Sequence, residues 1–145
     1  MKKGNFEYKV NICDKLQDNC EVDDDSLLGR SAVCQKSSDS DRWTSLGVTS
    51  DKLELLDGVV TLTYDHGKSC GHTNAPRVTT VTFVCPADGQ ADGLDFLSED
   101  SDCGYHFEFR TALACGSTKV DCQITVNNTV FDFSPLSKDT VQRKI

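Results

Sequence analysis

The sequence predicts an all-β domain that is cross-linked by disulfide bonds, and three observations support this class. Eight cysteines are scattered along the 145 residues of the chain. Short segments rich in β-branched and aromatic residues alternate with turn signals that contain glycine, asparagine, aspartate or proline. No segment keeps a helical period over about a dozen residues. The length suffices for one domain with its own apolar core.

The predicted strands follow one another at fairly regular intervals. They are residues 6–12, 53–56, 59–64, 78–85 and 105–115. Asp57-Gly58 lies between two apolar runs, as the turn of a two-residue hairpin does. Residues 78–84 alternate threonine with apolar side chains, which is typical of a half-buried strand. Several short strands with such turns predict an antiparallel sandwich or a flattened barrel.

The charge and the apolar runs exclude two classes of partner. The formal net charge is −8, whereas nucleic-acid binding requires basic patches that neutralise phosphates. The longest apolar runs are far too short to span a bilayer, so we expect no membrane insertion by this domain. The acidic stretch of residues 21–25 is interpreted as a solvated loop, because a calcium loop would need further spaced oxygen ligands.

The cysteine pattern indicates disulfides and an oxidising compartment. The count is even and the cysteines are dispersed, which favours four disulfide bonds. A structural zinc site usually contains closely paired cysteines, and none occur here, so no metal is predicted. Asn127-Asn128-Thr129 is an N-glycosylation sequon, which fits a lumenal or secreted protein.

Catalytic motifs are missing from the sequence. It contains no G-x-S-x-G, no HExxH and no phosphate-cradling glycine loop. Cys70-Gly71-His72 places a thiol near an imidazole, but a disulfide-bonded cysteine cannot act as a nucleophile. The pair Glu99-Asp100 resembles glycosidase carboxylates, yet neighbouring acids are common in so acidic a chain. We therefore predict a binding protein with neither enzymatic activity nor a cofactor.

Five segments carry a family resemblance that covers nearly the whole chain. They are residues 8–13, 32–35, 53–64, 76–85 and 103–115. Together they resemble one repeat of the mannose 6-phosphate receptor homology family, in particular its lumenal receptor repeats. The likeness extends over about residues 6–136 and matches every cysteine of the family pattern. It implies a flattened antiparallel β-barrel, or two crossed β-sheets.

The resemblance implies a mannose site with four residues. Gln35 follows Cys34 as the sugar-contacting glutamine of the family does, and Arg77 matches the family arginine. Glu99 and Tyr105 match the glutamate and the tyrosine, although the alignment of the glutamate could shift by one to Asp100. Arginine is a rigid fork of donors and glutamine has both a donor and an acceptor, so together they can hold an axial 2-hydroxyl. A carboxylate can accept hydrogen bonds from the adjacent 3- and 4-hydroxyls.

The resemblance also implies a ligand and a location. Lys68, Ser69 and His72 lie in the loop of residues 66–74, where phosphate-reading repeats contact phosphate. The expected ligand is mannose 6-phosphate, as a monoester or a diester, on high-mannose N-glycans of lysosomal hydrolases. The expected role is sorting with release at acid pH, on the lumenal side of the Golgi, endosome and lysosome pathway or on the extracellular face. The alternative is a protein-interaction or spacer repeat that binds no sugar.

Family order also implies the disulfide pairing and reveals one departure. The implied pairs are Cys13–Cys122, Cys20–Cys34, Cys70–Cys103 and Cys85–Cys115. Residues 121–136 resemble the first strand of a family repeat but stand at the C-terminal end. We interpret residues 1–145 as a single domain of this type. It is either circularly permuted or a slice of a tandem array, which would make neighbouring repeats its partners.

Overall fold

The computed structural model describes residues 1–115 and 123–132, and nearly all of its regular structure is β-strand. The strands are β1 (Lys2–Lys3), β2 (Phe6–Val10), β3 (Ser31–Ser37), β4 (Thr44–Val48), β5 (Leu53–Leu56), β6 (Val59–Tyr64), β7 (Val78–Val84), β8 (Gly93–Glu99), β9 (Gly104–Arg110), β10 (Gln123–Val126) and β11 (Thr129–Asp132). Two 3₁₀ turns, Asp25–Leu27 and Ala112–Ala114, complete the described elements. In this part of the chain no helix has the length and apolar character needed to cross a membrane.

The strands form two sheets and a separate hairpin, which confirms the all-β class. One sheet has the order β1-β2-β3-β4, the other has the order β5-β6-β7-β9-β8, and β10 pairs with β11. Within the described ranges these sheets do not close into a barrel. The pairing of β7 with β9 is parallel, which departs from the expected antiparallel arrangement. The chain crosses from β7 to the sheet edge as β8 and returns as β9 between them, so β9 runs in the direction of β7.

Local signals predicted some strand boundaries accurately and others less so. Asp57 and Gly58 have φ values of 51° and 78°, the left-handed conformations of the hairpin turn predicted between β5 and β6. The last predicted strand is shorter than expected, because the Thr111 side chain accepts a hydrogen bond from the Leu113 N–H and caps a 3₁₀ turn. The sequence analysis missed β3, whose first five residues are all buried and therefore lack a two-residue alternation.

The core lies between the two sheets. Tyr8 stacks on Phe96 with 4.7 Å between ring centroids and meets Phe107 edge-on at 5.5 Å. The sheets approach closely at Gly47, where an added Cβ would lie 2.6 Å from the Tyr64 Cβ. Both sheets contribute buried side chains to the core. The four-stranded sheet contributes Ala32, Val33 and Leu46, and the five-stranded sheet contributes Leu62, Val81, Tyr105 and Phe107.

Three disulfides fasten loops and strand ends to this core. They are Cys20–Cys34, Cys70–Cys103 and Cys85–Cys115, which are three of the pairs that the family resemblance implied. Each contributes about 2–4 kcal/mol, mainly by restricting the unfolded chain. The fourth expected pair involves Cys122, which lies outside the described residues, so Cys13–Cys122 stays a prediction.

The β10–β11 hairpin carries the expected glycosylation site at its turn. Asn127 and Asn128 both have left-handed φ values, 50° and 64°, and both are exposed. The exposure of Asn127 is compatible with a surface glycan. Modification of Asn127 remains a proposal.

Candidate carbohydrate site

Gln35 belongs to a hydrogen-bonded pair on the four-stranded sheet. It lies on β3 directly opposite Tyr8 on β2. The Gln35 Nε2 donates to the Tyr8 hydroxyl over 3.0 Å, and the Gln35 side chain is largely buried. Burial raises the pKa of Tyr8, so its phenol remains neutral. The amide orientation of Gln35 is thus fixed before any ligand arrives.

Arg77 and Tyr105 form the corresponding pair on the five-stranded sheet. Arg77 immediately precedes β7, and its Nε donates to the Tyr105 hydroxyl over 3.3 Å. The Arg77 Nη1 donates to the carbonyls of Lys68 and Ser69 over 3.1 and 2.7 Å, which locks the guanidinium plane. Tyr105 is only 1% exposed, and burial raises its pKa to about 12.

Glu99 faces these tyrosines, whereas its neighbour Asp100 builds a turn. Glu99 ends β8 opposite Tyr105. Burial is the largest cause that raises the pKa of Tyr8 and of Tyr105, and the negative charge of Glu99 raises both values further. Asp100 Oδ1 accepts hydrogen bonds from the backbone N–H groups of residues 102 and 104. Its Oδ2 lies 3.0 Å from His106 Nε2, and this contact is the main cause that lowers the pKa of Asp100. Between the two aligned carboxylates, Glu99 is therefore the one available to a ligand.

The structure joins the four predicted sugar-contacting residues and Tyr8 through two hydrogen-bonded pairs and one shared charge. Gln35 pairs with Tyr8, Arg77 pairs with Tyr105, and the charge of Glu99 acts on both tyrosines. We call these five residues the sugar-site cluster. Sequence reasoning missed Tyr8, because its role depends on the register between β2 and β3. The one available signal was its place on the strand that leads to Cys13.

The predicted phosphate-contacting residues have different surroundings. Lys68 and Ser69 lie against Arg77 through their carbonyls. His72 is directed elsewhere: its Nδ1 lies 3.4 Å from Cys70 Sγ and its Nε2 lies 2.9 Å from the Ser101 carbonyl. The structure therefore brings Lys68 and Ser69, but not the His72 ring, to the neighbourhood of Arg77.

Residues 23–25 of the acidic stretch are exposed, as expected, but two carboxylates of the stretch are hydrogen-bonded to the loop of residues 66–74. Glu21 Oε2 lies 2.8 Å from Lys68 Nζ, and Asp23 Oδ2 accepts from the Ser69 N–H over 2.6 Å. The hydrogen bond from Lys68 lowers the pKa of Glu21, and the hydrogen bond from the Ser69 backbone lowers the pKa of Asp23. The Cys20–Cys34 disulfide anchors the residue before Glu21 to β3, which explains why this polar segment is held in place.

Cys70, His72 and Cys103 offer ligand atoms within 4.8 Å of one another. Both sulfurs belong to the Cys70–Cys103 disulfide, so they cannot serve as thiolate ligands. This cluster therefore does not form a metal site.

Comparison with known proteins agrees with the geometry. A family model described as "Cation-independent mannose-6-phosphate receptor repeat" matches residues 74–144. The chain is similar to this repeat family over that range. The human cation-independent mannose-6-phosphate receptor is 27% identical over 137 residues, covering 92% of this chain but 5% of the relative. The chain thus spans a small fraction of the length of that receptor.

Two solved structures resemble this chain. Chicken IGF2R domain 11 has a TM-score of 0.62 at 25% identity, covering 77% of this chain and 72% of that one. Domain 11 of the corresponding echidna receptor has a TM-score of 0.57 at 23% identity, covering 76% and 72%, and supports the fold alone. These relatives are receptor domains rather than enzymes.

Proposed function

We propose that this repeat is a lectin-type receptor domain that binds a mannose residue of an N-glycan. The observation that carries the proposal is that two oriented pairs, Gln35–Tyr8 on one sheet and Arg77–Tyr105 on the other, are both acted on by the charge of Glu99. These residue types are the ones that the family resemblance implies for mannose recognition. The disulfides fit the lumenal or extracellular location of such a receptor.

The proposed recognition uses groups that the site has already oriented. Within the described part of the chain, the hydrogen bonds of Arg77 involve Nε and Nη1, and the hydrogen bond of Gln35 involves Nε2. Arg77 Nη2 and Gln35 Oε1 thus remain for an axial 2-hydroxyl, while Glu99 can accept from the 3- and 4-hydroxyls. Glucose, whose 2-hydroxyl is equatorial, would leave the buried Gln35 amide oxygen unpaired, at about 1–3 kcal/mol. Side chains that are ordered in advance lower the entropy cost of binding.

The role of the parent protein is part of the proposal. The match to a mannose-6-phosphate receptor supports sorting of phosphorylated high-mannose glycans on lysosomal hydrolases, with release at acid pH. Such a receptor would work on the lumenal side of the Golgi, endosome and lysosome pathway or at the extracellular face. Whether this repeat itself accepts the phosphate depends on the charges beside Arg77.

A protein partner is the second candidate, because an apolar groove lies away from the sugar site. Its volume is about 430 Å³, and its lining includes Leu53, Phe83, Phe109 and Leu113. Phe83 and Phe109 lie near the ends of β7 and β9, whereas Arg77 and Tyr105 lie at their starts. Leu113 is 95% exposed, as an unoccupied protein-binding surface would require.

The test is calorimetry with methyl α-mannoside and methyl α-glucoside. The repeat should bind the mannoside in preference, and Gln35→Ala and Arg77→Ala should each abolish measurable binding with the fold retained. Arg30→Ala is the control, because Arg30 is exposed and lies outside the site and the acidic stretch. Near-wild-type affinity in either site variant would place the sugar elsewhere, and equal binding of both sugars would contradict the reading of the 2-hydroxyl.

A further inference from the structure

The backbone of Lys68 and Ser69 forms one wall beside the proposed sugar site. Both carbonyls accept from Arg77 Nη1, and the Gly67 N–H donates to the Arg77 carbonyl over 2.9 Å. A substituent that extends from a bound sugar past Arg77 on this side therefore meets Lys68 and Ser69. The charge of Lys68 and the number of unpaired hydrogen-bond donors on Lys68 and Ser69 therefore decide which substituents on the sugar the site accepts.

Two carboxylates already occupy the donors of this wall. Lys68 Nζ is 2.8 Å from Glu21 Oε2, and the Ser69 N–H is 2.6 Å from Asp23 Oδ2. Arg42 also contacts Glu21, at 3.3 Å, but its side chain is mostly exposed to solvent. The charged groups beside this wall are therefore two cations, Lys68 and the more distant Arg42, and two carboxylates. The two donors that could best bind an anion, the Lys68 ammonium and the Ser69 N–H, already contact these carboxylates.

The position of Glu21 is fixed by the sheet rather than by a flexible loop. The Ser45 N–H donates to the Glu21 carbonyl over 3.0 Å, and the Lys68 N–H donates to the Ser45 carbonyl over 2.9 Å. The Glu21 N–H in turn donates to the Trp43 carbonyl over 2.8 Å. Glu21 and Lys68 are therefore attached to the same residue of β4. The Lys68 contact lowers the pKa of Glu21 and the Ser69 N–H lowers that of Asp23, so both groups remain ionised at neutral and mildly acid pH.

We propose that Glu21 and Asp23 set the specificity of the sugar site against a phosphomonoester, so that this repeat prefers a neutral mannoside to mannose 6-phosphate. The inference rests on the proposed mannose site and narrows its ligand. A phosphomonoester carries a charge of about −1.5 to −2 at neutral pH. To reach the Ser69 N–H it would have to displace Asp23, and to reach Lys68 it would have to compete with Glu21. A neutral 6-hydroxyl meets neither obstacle.

The test is a calorimetric titration with methyl α-mannoside, mannose 6-phosphate and the methyl phosphodiester of mannose. The wild-type repeat should bind the phosphomonoester about fivefold more weakly than the mannoside, because Lys68 and Arg42 offset part of the carboxylate charge and leave about one like-charge contact in water. The diester should lie between them, because it carries a single charge. Glu21→Gln combined with Asp23→Asn should remove this discrimination with unchanged affinity for the mannoside. Added salt should reduce the difference between the wild-type affinities for the mannoside and the phosphomonoester, because salt screens the repulsion between charges. Steric exclusion of the phosphate would not depend on salt.

The matched control removes the same charge at sites that do not touch the wall. Asp25→Asn combined with Asp51→Asn changes two exposed acids and should leave the ligand ratio as in the wild type. The inference would be wrong if the wild-type repeat preferred mannose 6-phosphate to methyl α-mannoside, or if the Glu21 and Asp23 double variant kept the wild-type ratio of these two affinities. Neither result would contradict the proposed mannose site. Absence of binding to all three ligands would overturn the proposed function, and this inference with it.

Discussion

At the scale of single residues, the site depends on hydrogen bonds that orient its polar groups. The Tyr8 hydroxyl accepts from Gln35 Nε2, so Tyr8→Phe should free the amide to rotate. We expect affinity for methyl α-mannoside to fall about fivefold, as for the loss of one hydrogen bond of about 1 kcal/mol, with little change in Tm. Calorimetry and a thermal melt provide the measurement.

Tyr64→Phe is the matched control for this prediction. The Tyr64 hydroxyl donates to the Asn11 carbonyl and accepts from the Cys13 N–H, away from the sugar-site cluster. Its removal should lower Tm without changing sugar affinity. The opposite pattern, with affinity lost in Tyr64→Phe and kept in Tyr8→Phe, would contradict the role of Tyr8.

Substitution of Arg77 tests whether mannoside affinity depends on the planar shape of the guanidinium or only on its positive charge. Arg77→Lys retains the positive charge but loses the planar fork that reaches Tyr105 and two carbonyls. We expect at least about a tenfold loss of mannoside affinity, whereas Arg30→Lys, at an exposed position away from the site, should have no effect. Retained affinity in Arg77→Lys would mean that charge alone is sufficient.

Residue types were easier to predict from the sequence than their partners. The cysteines and strand motifs aligned Gln35, Arg77 and Tyr105 with the family, and the structure pairs Arg77 with Tyr105 and Gln35 with Tyr8. The partners of Glu21 and Asp23 are 47 and 46 residues away in sequence. A contact at such separation leaves no local pattern, so the sequence analysis predicted an exposed loop but not these two contacts.

At the scale of elements, the contact between the loop of residues 66–74 and the start of β7 positions Arg77. An added Cβ on Gly67 would lie 2.7 Å from the Arg77 carbonyl oxygen and 2.8 Å from the Arg77 Cβ. Gly67→Ala should therefore destabilise the fold by about 1–3 kcal/mol and weaken mannoside binding, because backbone must move. Gly71→Ala lies in the same loop with nothing within 4 Å of its added Cβ, so it should be neutral in both respects. Denaturant unfolding and calorimetry would show whether the two variants differ.

Elements with local signals were predicted well, and those defined by distant pairing were not. The β5–β6 hairpin follows from two apolar runs and Asp57-Gly58. The parallel pairing of β7 with β9 depends on the insertion of β8 at the sheet edge, which no short segment encodes. The same holds for β3, because a strand buried along most of its length has no alternating pattern.

At the scale of the whole molecule, one covalent link remains a prediction. Cys13 is exposed and lines the apolar groove, and the family order pairs it with Cys122. Peptide mapping without reduction should recover a fragment that contains both cysteines. Replacing both by serine should cost about 2–4 kcal/mol of stability, with no change in sugar affinity because the groove and Arg77 lie at opposite ends of β7. Two free thiols would contradict the pairing.

The stability of the whole fold should be insensitive to mild acid. The pKa values of Glu21, Asp23, Asp65 and Asp100 are all lowered, mainly by hydrogen bonds from Lys68, Ser69, His66 and His106 respectively. A lowered pKa in the folded state adds stability above the ordinary value, 4.5 for glutamate and 3.8 for aspartate, which is lost as the pH falls further. Tm should therefore stay constant from about pH 7 to about pH 5 and decline below about pH 4. A decline already at about pH 6 would point to other titrating groups.

The same carboxylates decide the direction of any pH effect on ligand binding. Because Glu21 and Asp23 remain charged above about pH 5, the group that titrates first is a phosphomonoester, whose second proton binds near pH ~6. If the two carboxylates repel the phosphate, its protonation weakens the repulsion, and affinity for mannose 6-phosphate should rise as the pH falls from about 7 to about 5. A repeat that holds phosphate with Lys68 and releases it in acid would show the reverse trend. Calorimetry with mannose 6-phosphate at about pH 7 and at about pH 5 distinguishes repulsion by the carboxylates from retention by Lys68. Methyl α-mannoside, which does not ionise, is the control ligand. A parallel loss of mannoside affinity would instead show that the effect of acid does not depend on the phosphate.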